Sequence, residues 1–337
     1  MTFGEMIQQA RRQRQWPQSE LARRLGVSRQ TVVALESDQH APSFETAVRL
    51  ADLLDLSLDQ LASAHRLSTS VPTQMLWLDA VSPQVPIPIV WSLIQGVRVL
   101  VPISLLATPS PPDAVYNPVS GEVRPFPSAR HPEDVILIGG CDPFVPWLSQ
   151  IFHAVSPQHF LEGVWLSSTR ALESWRAGLL HIAGTHLFDA ERGVYNPDNW
   201  VSIDHLKIPY IAWEEGLATR PDHARLQRVA IRDPGSEAHA LYVRRGPHDL
   251  KAEVFRTHQA LLDAVALHPT WAGVGLGPQA VLMGLDFTPW VLEHYDLWIR
   301  ASDAKSSWFP PFEQALRTKE LARRLDAVPH LARKWRE

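Results

Sequence analysis

The stretch QSELARRLGVSRQTVVALE, residues 18–36, decides the fold of the amino-terminal part of the chain. Apolar residues recur at helical spacing on both sides of Gly26, and glycine readily adopts the positive φ that a tight turn between two helices requires. Ser28 stands where the second helix begins and is expected to cap it. The side chains expected to hold the two helices together are Leu21, Leu25, Val32 and Leu35. The pattern predicts two short helices joined by a tight turn.

The helical pattern extends outward over residues 1–66, where short polar joints separate segments with helical spacing. Five short helices in an all-α domain are therefore expected. The charge of this domain is polarised, because residues 1–35 contain six arginines and two acidic residues, a net charge of +4, whereas residues 36–67 carry a net charge of −4. The whole chain carries −4. Only the local basic half therefore has the charge that nucleic acid attracts.

Residues 18–36, with Ala41, Pro42, Ser43 and the helix after them, closely resemble the helix-turn-helix of the Cro/phage-repressor (XRE) family. The resemblance covers most of residues 1–66 and implies binding of double-stranded operator DNA through the second helix of the motif. The residues that it implies as base or phosphate contacts are Gln18, Ser28, Arg29, Gln30 and Thr31. A structural helical bundle and a protein-binding module of the antitoxin type are the alternatives.

Residues 67–134 have a different character. They contain a proline-rich stretch and β-type apolar runs such as residues 97–105, and residues 117–121 are typical of a hairpin turn between short strands. The segment is expected to be either a linker or a small β-subdomain, and the pattern leaves both open.

From residue 135 onward, strand-like and helix-like segments alternate. The run VILIGG, residues 135–140, is typical of a buried parallel strand, and helices are expected over residues 237–243 and 251–267. The alternation predicts an α/β domain over residues 135–337, with ligand-binding turns at the carboxyl ends of the strands.

Three of these strand-to-helix turns contain groups that suit an anion. Backbone N–H groups and hydroxyls at a helix N-terminus bind anions without the help of Lys or Arg. The turns lie at residues 139–143, 167–169 and 232–237. Their candidate ligand-binding residues are Cys141, Asp142, Ser167, Ser168, Thr169 and Ser236.

These turns, with residues 183–189, 195–196, 275–277, 284–287 and 295–297, resemble the periplasmic-binding-protein-like domain that is found fused to DNA-binding or molybdenum-cofactor modules. The resemblance covers residues 135–328 and implies two α/β lobes around a cleft, the second lobe spanning about residues 216–293. It adds Thr185, His186 and Tyr295 to the candidate ligand-binding residues. It also implies an oxyanion effector such as molybdate or tungstate, or a molybdenum-cofactor-related compound, and no resident cofactor.

Several classes of site and location are not expected. Cys141 is the only cysteine, which excludes an internal disulfide framework, and it is expected to be a small buried residue rather than a nucleophile. The histidines form no HExxH motif and no clustered carboxylate pattern is visible, so no metal site is expected. No set of nucleophile, base and orienting residue is visible either. The chain lacks a signal peptide and a membrane-length apolar run, so a cytoplasmic location without a membrane partner is expected.

The sequence thus predicts a multidomain chain: an all-α helix-turn-helix bundle followed by a two-lobed α/β domain. The hypothesis is a homodimeric one-component transcription regulator in which a small ligand closes the lobes and alters the DNA-binding heads. The alternatives are a degenerate C-terminal domain used for oligomerisation or protein docking, and a ligand-modifying enzyme.

Overall fold

The computed structural model describes residues 3–37, 42–58, 61, 72–76 and 85–334. The chain divides into two compact units, Met1–Thr73 and Gln74–Glu337, and the division falls inside a short strand. Among the described residues, no helix is long and apolar enough to cross a membrane.

The amino-terminal unit is helical throughout its described residues. Its helices are α1 (Phe3–Gln13), α2 (Gln18–Leu25), α3 (Arg29–Glu36) and α4 (Phe44–Leu54). Their apolar faces form one buried cluster that includes Leu21, Leu25, Val32 and Leu35, as predicted. The sequence predicts five helices, and most residues after Leu58 in this unit lie outside the described ranges.

The turn between α2 and α3 has the predicted geometry. Gly26 ends α2 in the left-handed region with φ of 73°, a conformation that an L side chain rarely adopts. The hydroxyl of Ser28 accepts a hydrogen bond from the backbone N–H of Thr31 at 3.0 Å and so caps α3. Two local rules of sequence therefore fix where α2 ends and where α3 begins.

The segment that the sequence leaves open as a linker or a β-subdomain contains a five-stranded sheet. Its strands are β1 (Thr73–Met75), β2 (Ile87–Ile94), β3 (Val97–Pro102), β4 (Ala114–Tyr116) and β5 (Val123–Pro125), in the order β1-β3-β2-β4-β5. The predicted hairpin joins β4 to β5, and the N–H of Gly121 donates to the carbonyl of Asn117 at 2.8 Å.

This small sheet packs on the domain that follows it. Val90 and Val99 share a buried cluster with Val135 and Leu137 of the next strand. Arg130 is paired with Asp113 at 2.8 Å and also contacts Glu162, although its guanidinium is largely buried. Apolar packing and a buried ion-pair network thus join residues 85–134 to the rest of the C-terminal unit.

The main sheet of the C-terminal unit has nine strands among the described residues, in the order β13-β12-β14-β11-β15-β8-β6-β7, with β16 beside β11. These strands are β6 (Val135–Gly140), β7 (Phe160–Trp165), β8 (Ile182–Thr185), β11 (His205–Thr219), β12 (Arg228–Arg232), β13 (Lys251–Phe255), β14 (Trp271–Leu276), β15 (Asp286–Arg300) and β16 (Leu331–Arg333). A separate hairpin pairs β9 (Phe188–Asp189) with β10 (Val194–Tyr195).

Two long strands connect the lobes of this unit. β11 and β15 contain 15 residues each and pair antiparallel along their lengths, with register shifts between Pro209 and Ile211 and between Glu215 and Gly216. β8 pairs with the second half of β15, and β14 pairs with the second half of β11. The two lobes therefore extend from opposite ends of one antiparallel ribbon, which we call the hinge ribbon.

Helices cover both lobes. They are α5 (Val145–Val155), α6 (Ser168–Arg176), α7 (Glu237–Arg245), α8 (His258–Leu267), α9 (Gly277–Leu282), α10 (Phe309–Leu316) and α11 (Lys319–Asp326). The predicted all-α bundle followed by an α/β domain is confirmed, and the run VILIGG is a fully buried strand that pairs parallel with β7 and β8.

One predicted helix is wrong over its first third. The sequence predicts a helix over residues 251–267, but Lys251–Phe255 forms β13 and the helix begins at His258, capped by Thr257. β13 pairs parallel with all five residues of β12, which satisfies its backbone along one edge. Long-range strand pairing here outweighs the helical spacing of the apolar residues.

Candidate functional site

The first turn of α3 is the exposed surface of the helix-turn-helix element. Ser28, Arg29, Gln30 and Thr31 are all exposed, and the hydroxyls of Ser28 and Thr31 lie 2.8 Å apart. No hydrogen bond from the side chain of Arg29 or Gln30 is seen within the described ranges. This turn presents a guanidinium, an amide and two hydroxyls to solvent on a capped helix start.

Gln18, the fifth predicted DNA contact, is held differently. Its Nε2 donates to Glu36 at 2.9 Å, and the same carboxylate accepts two bonds from Arg11 at 2.5 and 2.9 Å. Burial raises the pKa of Glu36, but the hydrogen bonds from Arg11 and Gln18 outweigh it and leave the pKa lowered. The start of α2 is thus bound to the end of α3 and to α1, and the side-chain amide of Gln18 serves that connection.

In the C-terminal unit, the turn between β6 and α5 is buried. Asp142 is 4% exposed, and its Oδ1 accepts a hydrogen bond from the N–H of Phe144 at 2.8 Å. Burial raises the pKa of this carboxyl to about 7. Asp142 also lines a small cavity together with Gly140 and Tyr295. The sequence leaves a capping role and a ligand role open for Asp142. Its bond to Phe144 closes a turn just before α5, and no side-chain hydrogen bond caps the start of that helix.

The hydroxyls of the other two predicted turns already have partners. Ser167 caps α6 at 3.4 Å from the N–H of Arg170, and Ser168 accepts from the N–H of His186 at 3.1 Å. Thr169 donates to the carbonyl of Gly235 at 3.2 Å, a bond that joins the two lobes.

The hydroxyl of Ser236 both donates and accepts a hydrogen bond. It caps α7 at 3.2 Å from the N–H of His239 and donates to the carbonyl of Asp233 at 2.8 Å. Ser167 and Ser168 instead act only as acceptors, so their hydroxyl hydrogens are the ones that remain for a ligand.

Two further predicted residues lie in the interior. Thr185 is fully buried and bonds to Asn196 at 2.8 Å and to the indole N–H of Trp298 at 2.7 Å. The ring of Tyr295 packs against Trp213 with centroids 4.8 Å apart. A Cβ added at Gly140 or at Gly184 would lie 1.9 Å from the Tyr295 hydroxyl. The two glycines therefore make room for this tyrosine.

His186 lies at the centre of a buried row of chemical groups. Its Nε2 is 3.2 Å from the Sγ of Cys141, and its Nδ1 is 2.6 Å from the Oε2 of Glu293. The contact with Glu293 lacks hydrogen-bond geometry. Glu215 completes the group, because one donor atom from each of His186, Glu215 and Glu293 lies within 4.8 Å of the others. Cys141 is 4% exposed and the other three residues at most 3%.

Burial controls the protonation of this group. It raises the pKa of Glu215 well above its ordinary value, and the neighbouring Glu293 raises it further. Burial also raises the pKa of Glu293 to about 7. The pKa of His186 is lowered by burial but raised overall by Cys141, Glu215 and Glu237. His258, buried nearby, has its pKa lowered well below the ordinary value by burial and by Arg232.

The sequence does not predict Glu215 and Glu293 as site residues. It therefore predicts neither a metal site nor a nucleophilic site at this place. No clustered carboxylates are visible in the sequence, yet the hinge ribbon brings the two glutamates to one histidine. Likewise no nucleophile with base and orienting residue is visible, yet Cys141, His186 and Glu293 are adjacent in that order. One signal was available: both glutamates interrupt apolar strand-like runs, in AWEEGLAT and WVLEHYDLW.

Comparison with known proteins identifies both parts of the chain. A helix-turn-helix family model matches residues 7–61, and the model of the PBP superfamily domain matches residues 149–317. The chain is 32% identical over 59 residues to an uncharacterized HTH-type transcriptional regulator, YqaE, from Bacillus subtilis (strain 168). That match covers 18% of this chain and 51% of the length of YqaE.

Solved structures resemble part of this chain at low identity. One is described as a phosphate ABC transporter substrate-binding protein with bound phosphate from Clostridium perfringens, with 11% identity, a TM-score of 0.48, and coverage of 60% of this chain and 100% of that one. Another is the effector binding domain of a BenM variant, with 12% identity, a TM-score of 0.42 and the same coverage.

Proposed function

We propose that this chain, which belongs to the PBP superfamily and also has a helix-turn-helix domain, is a DNA-binding transcriptional regulator. Its C-terminal domain binds a small ligand. The observation that carries the DNA-binding half is the exposed first turn of α3. Ser28 caps that turn, and the side chains of Arg29 and Gln30 extend from it without a partner in the described part of the chain.

The chemistry of this turn suits the major groove of DNA. An Arg side chain reads guanine with two hydrogen bonds, and a Gln side chain reads adenine in the same way. Arg29 and Gln30 are assigned to base edges, while Ser28 and Thr31 are assigned to phosphates. Gln18 positions α2 through Glu36, and the second N–H of its Nε2 is the group left to donate to a phosphate of the duplex. Helix-turn-helix proteins usually read two half-sites, so a homodimer is part of the proposal.

The experiment for this half begins with selection of a preferred duplex from a randomised library by the full-length protein. The double variant Arg29→Ala, Gln30→Ala is expected to lose about 1–3 kcal/mol of discrimination for each bidentate contact while keeping its helical circular dichroism. Arg317→Ala removes an exposed arginine of the C-terminal unit and is the control. Equal sequence preference in the double variant and the wild type would refute the assignment.

The proposed ligand site lies between the lobes, beside the hinge ribbon. The bond from Thr169 to Gly235 already links the start of α6 to the turn before α7. A ligand that replaces or strengthens such contacts favours the closed arrangement of the lobes, and its binding energy is then available to change the DNA-binding heads.

An oxyanion such as molybdate or tungstate, or a molybdenum-cofactor-related compound, remains the proposed ligand class from the sequence. Its support is the pair of hydroxyl hydrogens of Ser167 and Ser168 at the N-terminus of α6, where the helix dipole favours an anion. The buried carboxylates of Glu215 and Glu293 repel an anion, so the anion is assigned to the α6 turn and not to the centre of the ribbon.

Calorimetry tests the oxyanion. Ser167→Ala with Ser168→Ala is expected to weaken molybdate binding by about 1–3 kcal/mol per lost hydrogen bond. If wild type binds neither molybdate nor tungstate, the C-terminal domain is assigned instead to a larger organic ligand or to protein docking. Sedimentation of the full-length protein then separates docking from ligand binding, because the docking alternative predicts an oligomer that no small molecule changes.

One observation favours a second candidate, a thiol-dependent ligand-modifying enzyme. Cys141, His186 and Glu293 follow one another in the order of nucleophile, base and orienting carboxylate. The near-complete burial of the Cys141 side chain is against it, because a nucleophile must reach its substrate. Intact-mass measurement after incubation with a panel of small esters and thioesters tests it: an acyl adduct that is lost in Cys141→Ser supports the enzyme.

A further inference from the structure

We propose that His186, Glu215 and Glu293 form a binding site for one divalent transition-metal cation at the centre of the hinge ribbon. The proposal deepens the assignment of a small-ligand site between the lobes, and it does not depend on the DNA-binding half.

The first observation is the absence of partners for fully buried acceptors. Both carboxylate oxygens of Glu215 and the Oε1 of Glu293 are inaccessible to solvent and have no hydrogen-bond donor among the described residues. The Nδ1 of His186 is likewise without a hydrogen bond. Buried polar groups in proteins are nearly always paired, and unpaired ones point to a bound ion or water. Three adjacent buried residues with such atoms therefore indicate a bound ion or water at this place.

A proton shared by Glu215 and Glu293 would supply a donor for only some of these buried acceptor atoms. Such a proton gives one hydrogen bond, which leaves the second oxygen of each carboxyl and the His186 nitrogen without a donor. The Arg232 guanidinium, whose charge acts on Glu215, bonds to Asp233 at 3.1 Å, and no bond from it to either glutamate is seen among the described residues. The fold thus keeps two carboxyls out of water without supplying donors for them, an arrangement that costs stability in the absence of a ligand.

The geometry selects an inorganic ion over an organic cation. The three donor atoms lie within 4.8 Å of one another, which is the spacing that a single atom in their midst can bridge. Zinc-type ions bind His nitrogen and carboxylate oxygen at about 2.0–2.2 Å, so a small inward movement of the side chains completes the coordination. An alkylammonium group requires space for its carbon atoms in the same volume.

Charge and donor type narrow the class further. Two carboxylates balance a divalent cation, and an imidazole favours transition-metal ions such as Zn²⁺ or Fe²⁺ over Ca²⁺ and Mg²⁺. Ca²⁺ in particular takes about six to eight oxygen ligands, and this group offers at most four carboxylate oxygens.

The surrounding side chains have the positions expected of outer ligands. The Nε2 of His186, on the side of the ring away from the glutamates, is 3.2 Å from the Sγ of Cys141, which can accept a hydrogen bond from its N–H. The indole N–H of Trp213 donates to the Oε2 of Glu293 at 3.2 Å. Metal-binding histidines usually donate their second N–H, and ligating carboxylates are themselves hydrogen-bonded. Cys141 and Trp213 are therefore positioning residues for the site.

Access to the site requires motion of the lobes. The side chains of His186 and Glu293 are 3% and 0% exposed, so an ion cannot enter or leave the arrangement described here. The metal is consequently expected to exchange slowly and to hold the hinge ribbon in this arrangement while it is bound.

The experiment uses the full-length protein, stripped with a chelator and desalted. Co²⁺ and Zn²⁺ are added separately, unbound ion is removed, and bound metal is measured by elemental analysis. The expected result is one ion per chain, a visible absorption band with Co²⁺ and a raised unfolding temperature with either ion. Glu215→Gln and Glu293→Gln are each expected to weaken binding by about 100-fold or more.

Glu214→Gln is the matched control. Glu214 adjoins Glu215 on β11 and is also paired with a histidine, His330, at 2.5 Å, but the pair is partly exposed and outside the cluster. This variant is expected to bind metal like the wild type. Retention of no ion by the wild type, or equal affinity in Glu215→Gln and wild type, overturns the proposal.

Operator binding by the stripped protein is measured in parallel. The experiment can then refute the metal site and the DNA-binding function independently of each other. Stripped protein that binds DNA but takes up no metal refutes only the metal site. Protein that takes up metal but shows no sequence preference refutes only the regulator.

Discussion

The turn between α2 and α3 and the cluster around His186 are built in opposite ways. The turn is made by residues close in sequence: Gly26 ends one helix, and Ser28 caps the next through Thr31. The cluster is assembled from three separate places, because Glu215 and Glu293 lie on different strands of the hinge ribbon and His186 follows β8. The turn presents its polar groups to solvent, whereas the cluster hides them.

This difference has an energetic meaning. An exposed polar side chain such as Arg29 keeps its hydration, so it can be placed for DNA at almost no cost to folding. A buried carboxyl such as Glu215 loses its hydration, and the surrounding fold must tolerate that loss. The two regions should therefore respond differently to substitution and to pH.

The largest effect is expected at the hinge ribbon, in Gly216→Ala. A Cβ at this position would lie 2.1 Å from the carbonyl oxygen of Thr288 and 2.9 Å from the N–H nitrogen of Trp290, both backbone atoms of β15. The strands must separate, and we expect a loss of about 3 kcal/mol or more in the free energy of unfolding. Denaturant titration measures it.

Gly275→Ala is the matched control, because Gly275 lies directly opposite Gly216 on β14. Its Cβ would find neighbours only at 3.4 Å and beyond, an ordinary contact distance. We expect a loss of about 1 kcal/mol at most, from overpacking alone. If both variants lose the same stability, the ribbon is not as tightly packed as described.

A smaller effect is expected from Asp142→Asn, and it depends on pH. Burial raises the pKa of Asp142 from 3.8 to about 7, so the folded state holds this proton where the unfolded state has lost it. Stability is then lost as pH rises through this window and is lowest above the folded pKa. Since Asn does not titrate, its stability relative to wild type should increase by about 2–3 kcal/mol between about pH 5 and pH 8.

Thermal or urea unfolding at the two pH values, with chelator present, checks this prediction. Glu162→Gln serves as a comparison, because Glu162 is also buried but is paired with Arg130. Removing that carboxylate should destabilise the protein at both pH values. A constant difference between Asp142→Asn and wild type across the range would contradict the raised pKa of this buried carboxyl.

The smallest effect is expected at the turn, in Gly26→Ala. Here the nearest atom to an added Cβ is on Arg49 at 3.6 Å, so the cost comes from the positive φ and not from crowding. We expect a loss of about 1–2 kcal/mol, the cost of a left-handed conformation for an L residue. Gly26→Asn should lose less, because Asn tolerates that conformation, and equal losses in both variants would contradict the conformational explanation.

The same difference explains what sequence predicts well. Gly26, Ser28 and the buried run VILIGG follow rules that act over a few residues, and the structure confirms all three. The predicted contacts of Arg29 and Gln30 with DNA stay predictions, because they concern a partner. Glu215 and Glu293 are not predicted from the sequence, because no local pattern links them and only the pairing of β11 with β15 brings them together.

Strand pairing also accounts for the other failures of prediction. The apolar residues of β13 have a spacing that is also compatible with a helix. The segment forms a strand because it pairs with β12. The two 15-residue strands of the ribbon were not predicted because polar residues such as Glu214 and Glu215 interrupt their apolar pattern. The prediction is weakest where the chain is shaped by distant segments, and that is where the candidate metal site lies.

The register shift between Glu215 and Gly216 has a mechanical consequence. A bulge in an antiparallel pair bends the strand and increases its local twist. Two continuous strands joined by hydrogen bonds deform by twisting along their length, and the deformation concentrates where the ladder is interrupted. The lobes are thus related by torsion of a ribbon and not by rotation about flexible loops. A cation held beside the interruption would stiffen the ribbon against that torsion, so its effect on the domain is one of rigidity as much as of shape.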